Sequence, residues 1–240
     1  MSDDKPRVPT AAKSGEASGE VDAFLRDLRR APPPPPSGGR GRLMFALDAT
    51  ASREFSWDRA CRIQGEMFEA TAALGGLDVK LVYYRGFNEC QASRWMSNAA
   101  DLHRVMRRVS CLGGETQIER VLAHALGETR IRRVNALVFV GDAMEENVDR
   151  LCQLAGELGL NGVPIFMFHE GHDPRAASAF RQIAKLSRGA YLRFDLGSAD
   201  RLRDLLGAVA VYAAGGYRAL SAYGERKGGE VLRLTAQLEG

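Results

Sequence analysis

The stretch Leu43-Met44-Phe45-Ala46-Leu47-Asp48-Ala49-Thr50-Ala51-Ser52 decides how the chain is read. Its first five residues are continuously apolar, and polar turn residues follow instead of further periodicity. Residues 43–47 are therefore expected to form a short buried strand of a parallel sheet. In open sheets of parallel strands, ligands sit outside the carboxyl ends, which is where Asp48, Thr50 and Ser52 fall. Asp-x-Thr-x-Ser supplies one carboxylate and two hydroxyls at alternating positions, hard oxygen donors that Mg²⁺ accepts while keeping several waters.

Two later segments complete the pattern. Gly113-Gly114-Glu115-Thr116 is a glycine-rich turn ahead of a helical stretch, and Val138-Phe139-Val140-Gly141-Asp142 is a second apolar strand ending in aspartate. Together the three segments resemble the metal-ion-dependent adhesion site of von Willebrand factor A domains, read there as Asp-x-Ser-x-Ser, then a Thr, then an Asp. Residue by residue the match falls on Asp48, Thr50, Ser52, Thr116 and Asp142. Thr50 stands in place of the first Ser, which keeps the hydroxyl and adds a methyl group. The resemblance spans roughly residues 42–223. It implies a doubly wound α/β fold, a mostly parallel central sheet with helices on both faces. It also implies a Mg²⁺ (or Mn²⁺) ion at these five residues, with the hydroxyls in direct or near coordination and the aspartates largely coordinating through water. Two carboxylates balance one divalent charge, so such a site keeps an open position for the carboxylate of an Asp or Glu on a protein partner.

Outward from this frame the pattern alternates strand and helix. A second strand is expected over residues 79–84. A short polar edge strand is expected between Phe87 and Trp95, where Asn88, Glu89 and Gln91 suit exposure. Ser56 is placed to cap a helix carrying Trp57, Ala60, Cys61, Gln64, Phe68 and Leu74, and Asn98 or Asp101 opens another with Leu102, Val105, Met106 and Val109. Further helices are expected from Thr116, over 148–160, over 174–186, and from a Ser198 cap through Tyr212. The remaining strands are expected at 135–140, 163–168 and 190–194, and Gly215-Gly216 is expected to kink or end the last helix.

The domain so defined, residues 42–223, is flanked by an arm (1–41) and a tail (224–240). The arm is polar and aperiodic to about Glu20 and is expected to be disordered there. Val21, Phe24, Leu25 and Leu28 then fall on one face of a short helix, too short to persist alone, which must dock on its own domain or on a partner. Pro32 to Pro36 form a stiff spacer, and Ser37-Gly38-Gly39 a flexible joint.

Composition narrows the function classes. The 240 residues fit one domain of ordinary size plus tails. Lys and Arg total 33 against 30 Asp and Glu, a mixed surface that carries no electrostatic footprint for nucleic acid. Cys61, Cys90, Cys111 and Cys152 are widely spaced with no C-x-x-C, which suggests neither a zinc site nor a disulfide framework but reduced thiols. The first residues show no apolar signal-peptide core, and no run approaches the roughly 18 apolar residues of a membrane span. A cytoplasmic protein without membrane contact is expected.

Three functions compete. The resemblance implies a non-enzymatic, Mg²⁺-dependent protein-interaction module, of the intracellular bacterial type that serves as an adaptor in chaperone or AAA+ ATPase systems. A Mg²⁺-dependent phosphohydrolase is the second, since an aspartate at a strand's end also suits phosphoryl transfer. Against it, Asp48-Ala49-Thr50 lacks the second aspartate of haloacid-dehalogenase-type phosphatases, and the phosphate-loop, nucleophile-elbow and dinucleotide signatures are missing. The third is a structural subunit with a degenerate site. Each ligand also has a plain structural reading: Thr116-Gln117-Ile118-Glu119 is a capping box, and Asp48, Ser52 and Asp142 suit turns. Two aspartates ending adjacent strands without a cation, however, would raise one pKa and cost stability. Glu145 and Glu146 are expected to be solvated or at the next helix's start, and His169-Glu170-Gly171-His172-Asp173 to form a polar loop.

Overall fold

The computed structural model describes residues 26, 40–53, 57, 67–70, 76–194 and 199–227. The Val21–Leu28 face, the proline spacer, Ser56, Leu74, Ser198 and residues 228–240 lie outside the described residues.

Strand β1 (Gly41–Asp48) is buried along its whole length because it lies inside a six-stranded sheet of order β3-β2-β1-β4-β5-β6. The other strands are β2 (Leu77–Arg85), β3 (Glu89–Ala92), β4 (Ala136–Gly141), β5 (Ile165–Glu170) and β6 (Ala190–Phe194). Strand β3 runs antiparallel to β2, and the other neighbours pair parallel. Its partly exposed residues form the edge expected between Phe87 and Trp95. Among the described residues, the helices with both ends placed are α1 (Ala99–Met106), α2 (Ile118–Ile131), α3 (Val148–Leu160), α4 (Pro174–Leu186) and α5 (Ala199–Lys227), and residues 67–70 are helical as well. Among the described residues no helix is long and apolar enough to cross a membrane.

Side chains alternate across a strand, so β1 divides its residues between two cores. Leu43, Phe45 and Leu47 pack in the layer of Leu102 and Met106 from α1 and Val209 and Tyr212 from α5. Met44 and Ala46 pack in the opposite layer with Val121 of α2, Leu154 of α3 and Phe180 of α4. Covering both faces is what makes the central strands continuously apolar in sequence. Helix α5 crosses the base of β1 at backbone contact, since a Cβ on Gly41 would lie 2.5 Å from the Ala213 carbonyl oxygen. It kinks at Gly216, whose φ of 69° only glycine adopts readily.

The fifth strand differs from expectation. It begins at Ile165 and runs to Glu170, because Pro164 has no N–H to give a ladder. His169 is consequently a buried strand residue, not part of a polar loop. Asp173, from the same stretch, caps α4 by accepting from Arg175 N at 2.8 Å.

A charged cluster lies at the amino-terminal end of the sheet. Glu128 of α2 accepts hydrogen bonds from Lys80 Nζ at 2.6 Å, Trp95 Nε1 at 2.8 Å and the Arg42 guanidinium at 3.3 Å. The guanidinium lies 3.9 Å from the centre of the Trp95 ring. Nothing local in the sequence announces this cluster, since its members are brought together only by pairing of β1 with β2 beneath α2.

Candidate metal centre

The sheet order reverses at β1, which is flanked by β2 on one side and β4 on the other. The crevice beyond the carboxyl ends of β1 and β4 is thus the place where this architecture collects ligands. Asp48 is the last residue of β1, and Asp142 follows Gly141, the last residue of β4. A Cβ on Gly141 would lie 3.6 Å from Asp48 Cβ and 2.8 Å from the Phe139 ring, so the glycine keeps the space between the two strand ends open.

Asp48 is 1% exposed. Its Oδ1 accepts from Thr50 N at 2.7 Å and its Oδ2 from the Tyr84 hydroxyl at 3.0 Å. The Thr50 and Ser52 hydroxyls lie 3.1 Å apart. The loop after β1 therefore turns back on its own aspartate, and it aligns both hydroxyls beside it. Burial pushes the Asp48 pKa up against the hydrogen bonds from Thr50, and the negative charge of Asp142 pushes in the same direction. Asp142 is half-buried, and its Oδ1 is a buried oxygen without a hydrogen-bond partner. Two mutually repelling carboxylates, one with an orphaned buried oxygen, fit a site completed by a cation.

Thr116 sits in a different local structure from the one expected. Its hydroxyl does not cap its own helix: the N-cap residue is Gln117, without a side-chain cap bond, and Glu119 pairs with Arg150 at 2.8 Å. Partners reach across from the loop after β4 instead. Glu145 N donates to Thr116 Oγ1 at 3.1 Å while Glu145 Oε2 accepts from Thr116 N at 3.2 Å, and the Glu146 carboxylate accepts from Ile118 N at 2.6 Å and Glu119 N at 2.8 Å. Glu146, half-buried, is thus the anion cap of α2, while Glu145 stays exposed to solvent as expected and pairs with Thr116, so that the two fix Thr116 relative to the Asp142 loop. The favourable interaction of carboxylates with a helix N-terminus accounts for their placement.

The structure therefore sets Asp48, Thr50 and Ser52 in one loop, and it ties the Thr116 loop to the segment that follows Asp142. The first and second loops also touch, because Leu112 N donates to Ala49 O at 3.0 Å. Among the described residues no group of three or more His, Cys, Asp or Glu side chains is placed to hold a metal, so any ion here depends on the hydroxyls. That donor set suits a hard, partly hydrated cation. Cys90, whose thiol is pushed up to about 11 by burial, offers no thiolate near neutral pH.

Tyr84 is the contributor that strand periodicity hides, because a fully buried tyrosine in β2 reads as core. Burial pushes its pKa well above the ordinary value, so the hydroxyl remains a donor to Asp48. Tyr84→Phe is expected to cost about 2 kcal/mol, the worth of a buried hydrogen bond to a charged group. Urea denaturation checks this, and an unchanged midpoint would show that the bond contributes nothing.

No protein-family model matches the sequence, and no curated protein is similar to it at a significant level. Solved structures are similar in fold. Proximal thread matrix protein 1 from the mussel byssus, with a zinc-occupied metal-ion-dependent adhesion motif, is 14% identical at a TM-score of 0.56, over 72% of this chain and 46% of that one. A von Willebrand factor type A protein from Catenulispora acidiphila is 15% identical at a TM-score of 0.57, over 72% of this chain and 43% of that one. The SpRpn10 VWA domain is 14% identical at a TM-score of 0.52, over 65% of this chain and 88% of that one. The matched region is thus under half the length of the first two proteins.

Proposed function

We propose that this chain, which has the von Willebrand factor A fold, is a protein-interaction module that binds an acidic residue of its partner at a divalent cation. The observation that carries the reading is the pair of strand-end carboxylates, Asp48 buried and Asp142 with an orphaned oxygen. Asp48, Thr50, Ser52, Thr116 and Asp142 would hold Mg²⁺ or Mn²⁺. When bound, the ion supplies a Lewis-acidic position that a carboxylate can occupy. The chain's own residues do the rest. Tyr84 and the Thr50 amide orient Asp48, and Glu145 holds Thr116 in place. Both oxygens of Asp48 accept hydrogen bonds, which favours a binding role over that of a phosphohydrolase nucleophile. An adaptor role in a chaperone or AAA+ ATPase system, in the cytoplasm, is the setting we propose for it.

The test is affinity capture with wild type and Asp48→Ala side by side in Mg²⁺. Partners should be released by EDTA and lost with the variant, and an Asp→Asn change at the partner's key residue should have the effect of EDTA. Binding in Mg²⁺ should resist salt better than a screened surface ion pair would. Partners that remain bound in EDTA and to Asp48→Ala would show that another face is used.

A further inference from the structure

Large apolar side chains are exposed at five of the described positions: Phe87, Leu112, Ile131, Leu160 and Leu186. Ile131, Leu160 and Leu186 sit at the carboxyl ends of α2, α3 and α4. Phe87 and Leu112 belong instead to the loops that frame the candidate metal centre. Leu112 N bonds to Ala49 O, between Asp48 and Thr50, and Leu112 O accepts from Gly86 N at 3.2 Å. Gly113 comes within 4.0 Å of the Ala51 side chain, measured from a Cβ built on the glycine. Exposed Ala51, Gly113, Leu112 and Phe87 thus lie along one edge of the metal loop, tied together through the buried Gly86 backbone.

The turn that presents Phe87 is pinned at both neighbours of the ring. Gly86 and Asn88 have φ of 56° and 68°, a left-handed pair that suits these two residue types. Gly86 O accepts from Glu115 N and from Gln117 Nε2, each at 3.3 Å. Arg120 donates to Asn88 O at 2.7 Å and to Asn88 Oδ1 at 2.8 Å. The ring is nonetheless 72% exposed, and Leu112 is 51% exposed. A phenyl group carried into water by an ordered turn has the form of a binding anchor, because the backbone that presents it is already fixed before the partner arrives.

We infer that Phe87 and Leu112 form an apolar shelf beside the metal centre, and that the partner is an extended segment with a large apolar side chain close to its metal-binding Asp or Glu. This rests on the carboxylate-binding reading above. Tyr84 lies opposite Asp48 in the β1–β2 register, and Phe87 follows three positions later in the turn beyond the end of β2 at Arg85, hence no more than about 10 Å from Tyr84 at ~3.3 Å per residue of extended chain. The partner's apolar residue should therefore lie two or three positions from its acid. Glu115 and Arg120 flank this stretch, but the exposed side chains of Phe87 and Leu112 themselves offer only apolar surface, which matches an apolar neighbour better than a charged one.

The test is selection of phage-displayed random dodecapeptides on the full chain in Mg²⁺, with elution by EDTA. The eluted peptides should share an Asp or Glu with Leu, Ile, Met, Phe or Trp two or three residues away. The best of them should bind the double variant Phe87→Ser, Leu112→Ser at least about tenfold more weakly, a loss typical of a truncated anchor. The Mg²⁺-induced rise in melting temperature of that variant should match wild type, which shows that its fold and ion site persist. Acid-containing peptides without a placed apolar residue, or equal binding to the double variant, would overturn the shelf and leave the carboxylate-binding reading standing. Failure to recover any EDTA-released peptide would overturn both.

Discussion

Glu128→Ala is expected to lose about 3 kcal/mol of stability and to lower the melting temperature by about 6–12 °C, the conversion that suits a domain of this size. The carboxylate is the common acceptor of Lys80, Trp95 and Arg42, and the Arg42 and Lys80 side chains are only 7% and 11% exposed. Removing it leaves two cations with little water and, as nearby counter-charge for Arg42, only Asp78, which is already paired with Arg40; this is the costly way to break a buried pair. Burial by itself would raise the Glu128 pKa, but the hydrogen bonds from Lys80 and Trp95 and the charge of Lys80 outweigh it and hold the group below its ordinary value. A carboxyl depressed in the folded state stabilises fully above its unfolded pKa, about 4.3, and that contribution disappears as the pH falls through the folded value. The difference between wild type and Glu128→Ala should thus be complete at neutral pH and shrink in acid below about pH 4. Denaturation curves at pH 7 and pH 3 measure it, and an equal gap at both would mean that the charge of Glu128 is not what stabilises the cluster.

Gly114→Ala is expected to cost about 2–4 kcal/mol and to abolish the response to divalent cations. A Cβ at Gly114 would stand 2.1 Å from the Gly86 carbonyl oxygen and 2.4 Å from Gly86 Cα. Both are backbone atoms, in a turn held by Leu112, Glu115 and Gln117, so the loop that carries Thr116 must move. Gly113→Ala is the control, because its Cβ would find nothing nearer than Ala51 at 4.0 Å. Its thermal melt and cation response should match wild type. If the two variants behave alike, close packing of the loops is not what positions Thr116.

The strands were legible because both faces of the sheet are covered, which turns burial into unbroken apolar runs such as Leu43–Leu47. The Asp48, Thr50 and Ser52 loop was legible because its hydrogen bonds join residues two apart, so a local pattern encodes a local structure. Thr116 shows the limit of that reasoning. Its local pattern is a capping box, yet Glu146 provides the cap from 27 and 28 residues away and Glu145 binds Thr116 from 29, where no spacing rule reaches. Tyr84 and Glu128 carry no local signal for a related reason: a tyrosine in an apolar strand and a glutamate on an amphipathic helix acquire their roles only from the elements laid against them. His169 reads as a loop residue because polar side chains at a strand's end look like the start of a turn, whereas Tyr191 and Phe180 enclose it.

Thermal melting of the metal-free chain, with EDTA and then with Mg²⁺ or Mn²⁺, tests the central claim most directly. An ion that binds the folded state alone at a free concentration about a hundredfold above its Kd adds about 2.7 kcal/mol, a rise of about 5–11 °C for a domain of this size. The account predicts that rise for wild type and its absence for Asp48→Ala and Thr116→Ala. Superimposable wild-type curves in EDTA and in saturating Mg²⁺ and Mn²⁺ would contradict it.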